Sequence, residues 1–216
     1  MHNTIKNLIY IEELIKSKAN HNELAKIIAV SKTFPIENVL PLIEYGHLHY
    51  GENKVQEALD KWTDIKNDNQ NIQLHLIGRL QTNKVKFALK IFDYIHSLDS
   101  EKLANKISDE QQKHKKKPKI FIQVNLGNEV QKSGIDKRNL NDFYKFCKTL
   151  NLDIIGTMCI PPNDGYTKKY FSEMSDLNKK LNFKELSMGM SEDYLEAIRY
   201  NATYIRVGSK IFGSRS

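Results

Sequence analysis

Hydrophobic and polar residues follow two alternating periods along this chain. Ile5, Leu8, Ile9, Glu12 and Ile15 recur at helical spacing and predict a one-sided helix over 5–16. The near-continuous apolar run Ile27-Ile28-Ala29-Val30 follows, and Pro35 stops it just past Ser31-Lys32-Thr33-Phe34. Such a run, bounded by a turn signal, predicts a strand covered on both faces, as in parallel sheets. Ile36, Val39, Leu40 and Ile43 then return to helical spacing, which Gly46 ends. His47 to Asn53 reads as a short strand running into a polar loop, and Val55, Ala58, Leu59, Trp62 and Ile65 form the next helical face.

The alternation continues without a break in composition. Strands are predicted over 72–77, 94–98, 119–126, 154–160, 185–190 and 202–207. Helical faces lie between them, carrying Val85 to Phe92, Leu103 to Ile107, Leu140 to Leu150, Tyr170 to Leu181, and Leu195 with Ile198. Ser100 opens one of these helices and Ser191 is placed to cap another. Eight βα units in 216 residues predict an α/β fold, a single (β/α)8 TIM barrel over 1–216 with an extra N-terminal helix. An open doubly wound sheet is the alternative. It normally carries a glycine-rich loop after its first strand, and here that loop is Lys32-Thr33-Phe34-Pro35.

Composition narrows the class further. No stretch approaches the roughly 18 apolar residues of a membrane span, and Met1-His2-Asn3-Thr4 leads straight into a helix without a secretory core. Only Cys147 and Cys159 are present, with no CxxC, so a reducing cytoplasm is the expected compartment. The net charge of +7 raises the question of nucleic acid. The excess concentrates in Lys113-His114-Lys115-Lys116-Lys117-Pro118-Lys119, which lacks interleaved aromatics or a binding motif. A solvated loop in a lysine-rich protein explains it better, and neither nucleic acid nor membrane is an expected partner.

The candidate chemistry gathers at strand ends. Lys32 lies where the first strand stops, at the carboxyl end of the sheet, where α/β proteins bind ligands. An amine partly withdrawn from water there has a lowered pKa and can attack an aldehyde to form a Schiff base. For an isolated lysine, snorkelling to the strand rim is the ordinary role. Two stretches at the other end of the chain change that balance: Ser187-Met188-Gly189-Met190-Ser191 and Arg206-Val207-Gly208-Ser209. In barrels a phosphate is often held after the seventh and eighth strands. Gly189 and Gly208 let the backbone approach, the Ser191 and Ser209 hydroxyls point at oxygen, and Glu192 and Asp193 are expected to face away. Arg206 shares a strand face with Tyr204 and Gly208. Inside a barrel its guanidinium needs an acceptor, either a buried carboxylate or an aromatic nitrogen with a free lone pair. His47 and His49 share a face and could suggest a metal, but no third ligand is spaced nearby, so a structural or surface role is expected.

A reactive lysine on the first strand, an anion cradle after the last two and an arginine on the eighth together describe a pyridoxal 5'-phosphate site. The sequence resembles the pyridoxal phosphate homeostasis proteins (YggS-like or PROSC-like), related to the barrel domain of alanine racemase. The resemblance rests on Ala29-Val30-Ser31-Lys32-Thr33, Gly51-Glu52-Asn53 with Lys54 to Glu57, His75-Leu76-Ile77-Gly78 with Leu80 to Lys84, Lys132-Ser133-Gly134, Met158 to Pro161, Leu186 to Ser191, and Ile205 to Gly213. It implies that Lys32 carries the cofactor as an internal aldimine. Ser191, Gly208 and Ser209 receive the phosphate, Arg206 faces the pyridine ring, and Asn53 and His75 flank it. A loop-bracing asparagine and a buried structural histidine are the alternatives for the last two. Lys132 matches a family lysine in a mobile loop, and Phe34 stands where members often have a second lysine.

The related racemases need a second acid on the opposite face of the substrate, supplied by a tyrosine from a C-terminal β-domain across a dimer interface. This chain ends at Ser216, directly after the eighth strand. One base can remove a proton, but racemisation also needs delivery from the other side. The expectation is therefore a monomeric binding protein that stores or relays pyridoxal phosphate, with apo-enzymes as possible recipients, and not an enzyme. A racemase-like enzyme using Tyr166, Tyr170 or Cys159 as second acid is the alternative, and a Schiff-base aldolase acting on a phosphorylated sugar is the third reading.

Overall fold

In the computed structural model, which describes residues 1–18, 25–127 and 133–213, β1 (Lys26–Val30) is followed in chain order by the rest of a parallel sheet. The other barrel strands are β2 (His49–Glu52), β3 (Gln73–Leu76), β4 (Tyr94–Leu98), β5 (Lys119–Asn125), β7 (Asp153–Met158), β8 (Glu185–Met190) and β9 (Tyr204–Val207). Each pairs in parallel with its neighbours, β4 with β5 and β9 back with β1, so the sheet closes into an eight-stranded barrel. The two-residue β6 (Ile135–Asp136) adds to Val124 and Asn125 at the carboxyl end of β5. No sequence signal marked it.

Helices cover the outside. They are α1 (Asn3–Lys18), α2 (Leu40–Glu44), α3 (Val55–Asp68), α4 (Val85–Ile91), α5 (Glu101–His114), α6 (Leu140–Thr149), α7 (Thr167–Lys180), α8 (Tyr194–Arg199) and α9 (Ser209–Phe212). The continuous helix expected after Pro35 is instead a 3-10 turn over Ile36–Asn38 and the short α2. Pro41 sits in the first turn of α2, where its missing N–H does no harm. Ser100 caps α5 as expected, accepting from the Leu103 N–H at 3.4 Å.

Successive strand residues face opposite sides of the sheet. Ile27 and Ala29 of β1 pack outward with the helices, while Ile28 and Val30 point into the barrel. Tyr94, Phe121, Met158 and Tyr204 join them in a second apolar cluster that fills the interior. Packed rings occupy the amino-terminal half of the cylinder: Tyr94 stacks on His75 at 4.1 Å between centroids, and Phe121 on His96 at 4.3 Å. This packed floor leaves the carboxyl mouth as the open end.

The lysine-rich run is mostly exposed, as expected, and its first residues close α5. Lys115 takes a left-handed conformation that ends α5, Lys116 donates to the Lys90 carbonyl at 3.2 Å, Lys117 to Asn151 Oδ1 at 2.9 Å, and Lys119 to the Tyr94 hydroxyl at 3.3 Å. With Lys113, which donates to Glu110 Oε1 at 3.3 Å, four of its ammonium groups reach protein acceptors. Among the described residues no helix is long and apolar enough to cross a membrane.

Candidate functional site

The carboxyl ends of the strands surround a cavity of about 750 Å³. Lys32, Asn53, Ser191, Arg206, Gly208 and Ser209 all line it, so strands far apart in sequence bring six of the seven expected residues together. His75 is not among the lining residues. It is fully buried one layer below, between His49 and His96, which gives it the structural place that was its alternative.

The backbone around Lys32 is held on both sides. Ser31 donates its N–H to the Gly51 carbonyl at 3.0 Å and its hydroxyl to Glu52 Oε1 at 2.8 Å. Lys61 of α3 donates to the Ser31 carbonyl and to Glu52 Oε1, each at 2.9 Å, and the Trp62 indole N–H reaches the same oxygen at 3.0 Å. Just past Lys32, Thr33 adopts a φ of 68°, a left-handed conformation unusual for a β-branched residue. Its N–H donates to Glu57 Oε1 at 2.6 Å, which holds that turn. Phe34 packs its ring 5.1 Å from that of Phe212, which ties the loop to α9. Glu52, Glu57, Lys61 and Trp62 were not assigned from the sequence. Their only local signal was a carboxylate at a strand end, followed by an i,i+4 Glu57–Lys61 pair on the next helix.

Asn53 is fixed by its neighbour strand. A Cβ on Gly78 would lie 2.3 Å from the Asn53 carbonyl oxygen, so only glycine permits this approach of the β2 and β3 ends. On the other side of β1 lies the cradle after β9 and β8. The Gly208 N–H donates to the Ser191 hydroxyl at 3.3 Å, joining the two turns. That contact corrects the expected cap: Ser191 does not close α8, and Asp193 holds the cap position while accepting the Met190 N–H at 2.6 Å. Glu192 and Asp193 also line the cavity, contrary to the expectation that both face away. Gly189 is needed for another reason than ligand approach. Its φ is +91° and a Cβ there would meet Ala197 Cβ at 2.6 Å, so it serves the packing of α8 on β8.

Arg206 is 4% exposed. One terminal nitrogen donates to Ser187 Oγ at 2.7 Å and the other to the Cys159 carbonyl at 2.9 Å. Burial pushes its pKa down, opposed by Cys159 and Asp193. Among the described residues no carboxylate lies within ion-pair distance of it. A guanidinium has five N–H donors and no acceptor, so donors remain for a ligand lone pair in the cavity.

Other expected groups fall elsewhere. Tyr166 is exposed, Tyr170 donates to Asp164 Oδ2 at 2.8 Å, and burial pushes the Cys159 thiol up to about 12. None of the three lines the cavity. His47 contacts the His49 carbonyl at 2.9 Å and the His49 ring contacts His75, which gives both structural partners. Lys132 lies outside the described residues.

A closed parallel barrel with its polar groups at the carboxyl mouth defines a class, and the sequence model described as "Alanine racemase, N-terminal domain" matches residues 11–216. Within that class the similarity is closer to one group. A pyridoxal phosphate homeostasis protein of Aquifex aeolicus is 35% identical over 95% of this chain and 93% of its own length, and one from Pasteurella multocida is 33% identical over the same shares. The structure of PipY from Synechococcus elongatus with PLP bound is 32% identical, covers 97% of this chain and all of its own, and superposes with a TM-score of 0.86. An alanine racemase of Bartonella henselae shares the fold at a TM-score of 0.73 and 15% identity, covering 98% of this chain and 60% of its own. The chain belongs to the pyridoxal phosphate homeostasis protein family.

Proposed function

We propose that this chain binds pyridoxal 5'-phosphate covalently at Lys32 and serves to store and relay the cofactor while limiting free aldehyde. The observation that carries the reading is that Lys32 and Arg206, from the neighbouring strands β1 and β9, line one cavity that also holds Ser191, Gly208 and Ser209. The donor set fits the group. A buried guanidinium without a carboxylate partner suits a pyridine nitrogen, two hydroxyls at joined turns suit a phosphate ester, and an amine at a strand end suits an aldehyde. When bound, the cofactor supplies an electron-withdrawing ring conjugated to the attached nitrogen.

The residues of this chain divide the work. Lys32 provides the nucleophilic nitrogen, and the clamp of Glu52, Glu57 and Lys61 fixes the backbone from which its side chain reaches into the cavity. Arg206 donates to the ring nitrogen and leaves it unprotonated, because arginine does not give up its proton. A ring so held withdraws electrons weakly, which suits a carrier better than a catalyst. Ser191 and Ser209 donate to the phosphate oxygens. Asn53 borders the ring.

Among the described residues the titratable groups of the cavity wall are Lys32, Arg79, Glu192, Asp193 and Arg206, and the two carboxylates belong to the turn of Ser191. Delivery to apo-enzymes in the cytoplasm, from a monomer, completes the reading. Titration of the purified protein with pyridoxal phosphate tests it: a visible absorbance band forms in the wild type and is absent in Lys32→Ala. Failure of the wild type to develop the band would overturn it.

A further inference from the structure

Below the cavity the barrel interior carries an unbroken line of polar contacts. Arg206 donates to Ser187 Oγ at 2.7 Å, Ser187 Oγ lies 2.9 Å from His96 Nδ1, His96 Nε2 lies 2.9 Å from His75 Nδ1, and His75 Nε2 lies 3.0 Å from His49 Nδ1. Ser187, His75 and His96 are each at most 1% exposed, and His49, half-buried, stands at the amino-terminal mouth. A ring nitrogen can donate or accept, so the distances alone leave the sense of each link open.

Arginine decides it. Arg206 can only donate, so Ser187 Oγ accepts from it. The single hydroxyl proton of Ser187 then has His96 Nδ1 as its acceptor. Were His96 to donate instead, that buried proton would have no acceptor among the described residues, an arrangement costing about 1–3 kcal/mol. His96 therefore bears its proton on Nε2 and donates to His75 Nδ1, and His75 donates from Nε2 to His49 Nδ1. We propose that Ser187, His96, His75 and His49 form a positioning chain for Arg206, in which the arginine imposes one hydrogen-bond sense on every link and the links hold its guanidinium toward the cavity.

The surroundings keep the chain neutral. Burial is the largest influence on all three imidazoles, lowering His49 to about 4 and His75 and His96 well below their ordinary value. The charged groups around them act in the same direction: Lys26 of β1 and Lys119 of β5 near His49, Lys66 of α3 near His75, and Arg206 near His96. Glu185 of β8 is paired with Lys26 at 3.4 Å. His47 lies beside His49, and the Tyr94 and Tyr204 rings flank the line with their hydroxyls 3.4 Å apart. An imidazolium in any link would place two donors nose to nose.

The part of the proposal that concerns the cofactor rests on the function proposed above, whereas the sense of the chain does not. Long-range proton–nitrogen correlation spectra of the cofactor-free, 15N-labelled protein at neutral pH read the tautomers directly. The three rings are assigned through their contacts with Tyr94 and Phe121. The expected result is His49, His75 and His96 all neutral with the proton on Nε2. A proton on Nδ1 of any one, or a doubly protonated ring, overturns the proposal. In Ser187→Ala the His96 tautomer is expected to lose its single sense, and loaded protein to lose pyridoxal phosphate about tenfold faster, one charge-assisted hydrogen bond having gone. Ser187→Thr, which keeps the hydroxyl, restores both. An unchanged His96 tautomer in folded Ser187→Ala overturns the chain. Should no pyridoxal phosphate bind to the wild type, the function proposed above falls, and the tautomer pattern still decides the chain.

Discussion

The two ends of the barrel interior are built from the same strands and differ in what fills them. At the amino-terminal end, bulky rings from β2, β3, β4, β5 and β9 meet: His49, His75, Tyr94, His96, Phe121 and Tyr204 touch one another. At the carboxyl end, glycines, serines, asparagines and a few charged side chains, Lys32 and Arg206 among them, line a cavity. A few residues along these strands separate a packed floor from an open site. The difference teaches that a barrel of modest length gains its stability below and its chemistry above. Changes below are expected to be read chiefly as stability and changes above as cofactor retention, with the Ser187–His96 line to Arg206 joining the two.

The sharpest break of that division comes at Lys32. Lys32→Ala is expected to abolish covalent attachment of pyridoxal phosphate altogether, with a far smaller effect on the midpoint of chemical denaturation, since the side chain lines the cavity and is not part of the packed floor. Next in size is the clamp outside the barrel. Glu52→Ala leaves the Lys61 ammonium and the Trp62 indole without their shared acceptor, and loss of one partner from a buried ion pair costs about 3–5 kcal/mol. Urea denaturation measures it, and a loss below about 1 kcal/mol would contradict the clamp.

The packed floor makes its own prediction through pH. Burial holds His47 and His49 at about 4 and pushes His75 and His96 well below their ordinary value of 6.5. Above pH 6.5 the rings are neutral in both folded and unfolded chains. As pH falls below 6.5 the unfolded chain takes up protons that the native state refuses, so stability falls from about 6.5 toward 4. Each group contributes a slope of about 1.4 kcal/mol per pH unit in that window. Flat denaturation midpoints between pH 7 and 5 would contradict neutral histidines in the interior. The smallest effect belongs to Phe34→Ala, which removes one ring pair with Phe212 and is expected to cost about 1 kcal/mol without altering cofactor capture.

Much of this was legible from the residue pattern, because both layers of a βα unit leave a periodic trace. The eight strands, Lys32 at the end of the first and Arg206 inside the last follow from alternation and order. What was not legible depends on partners distant in sequence. A capping rule sends Ser191 to its own helix, whereas the structure sends it to Gly208 across two strands. The resemblance placed His75 beside the ring, but nothing in the pattern gave its depth, and depth decides whether a ring meets a ligand or another histidine. The broken helix after Pro35 depended on Pro41, a residue the apolar spacing passed over. Glu52 illustrates the remainder: its role appears only when α3 folds back and brings Lys61 and Trp62 to the same oxygen.

The central claim is that one amine at the carboxyl mouth forms a reversible covalent bond with the cofactor's aldehyde. Borohydride reduction of the loaded protein, followed by peptide mass mapping, tests it most directly. The account predicts a single stoichiometric pyridoxyl phosphate modification on the peptide containing Lys32. A modification spread over surface lysines, with the Lys32 peptide unmodified, would contradict it.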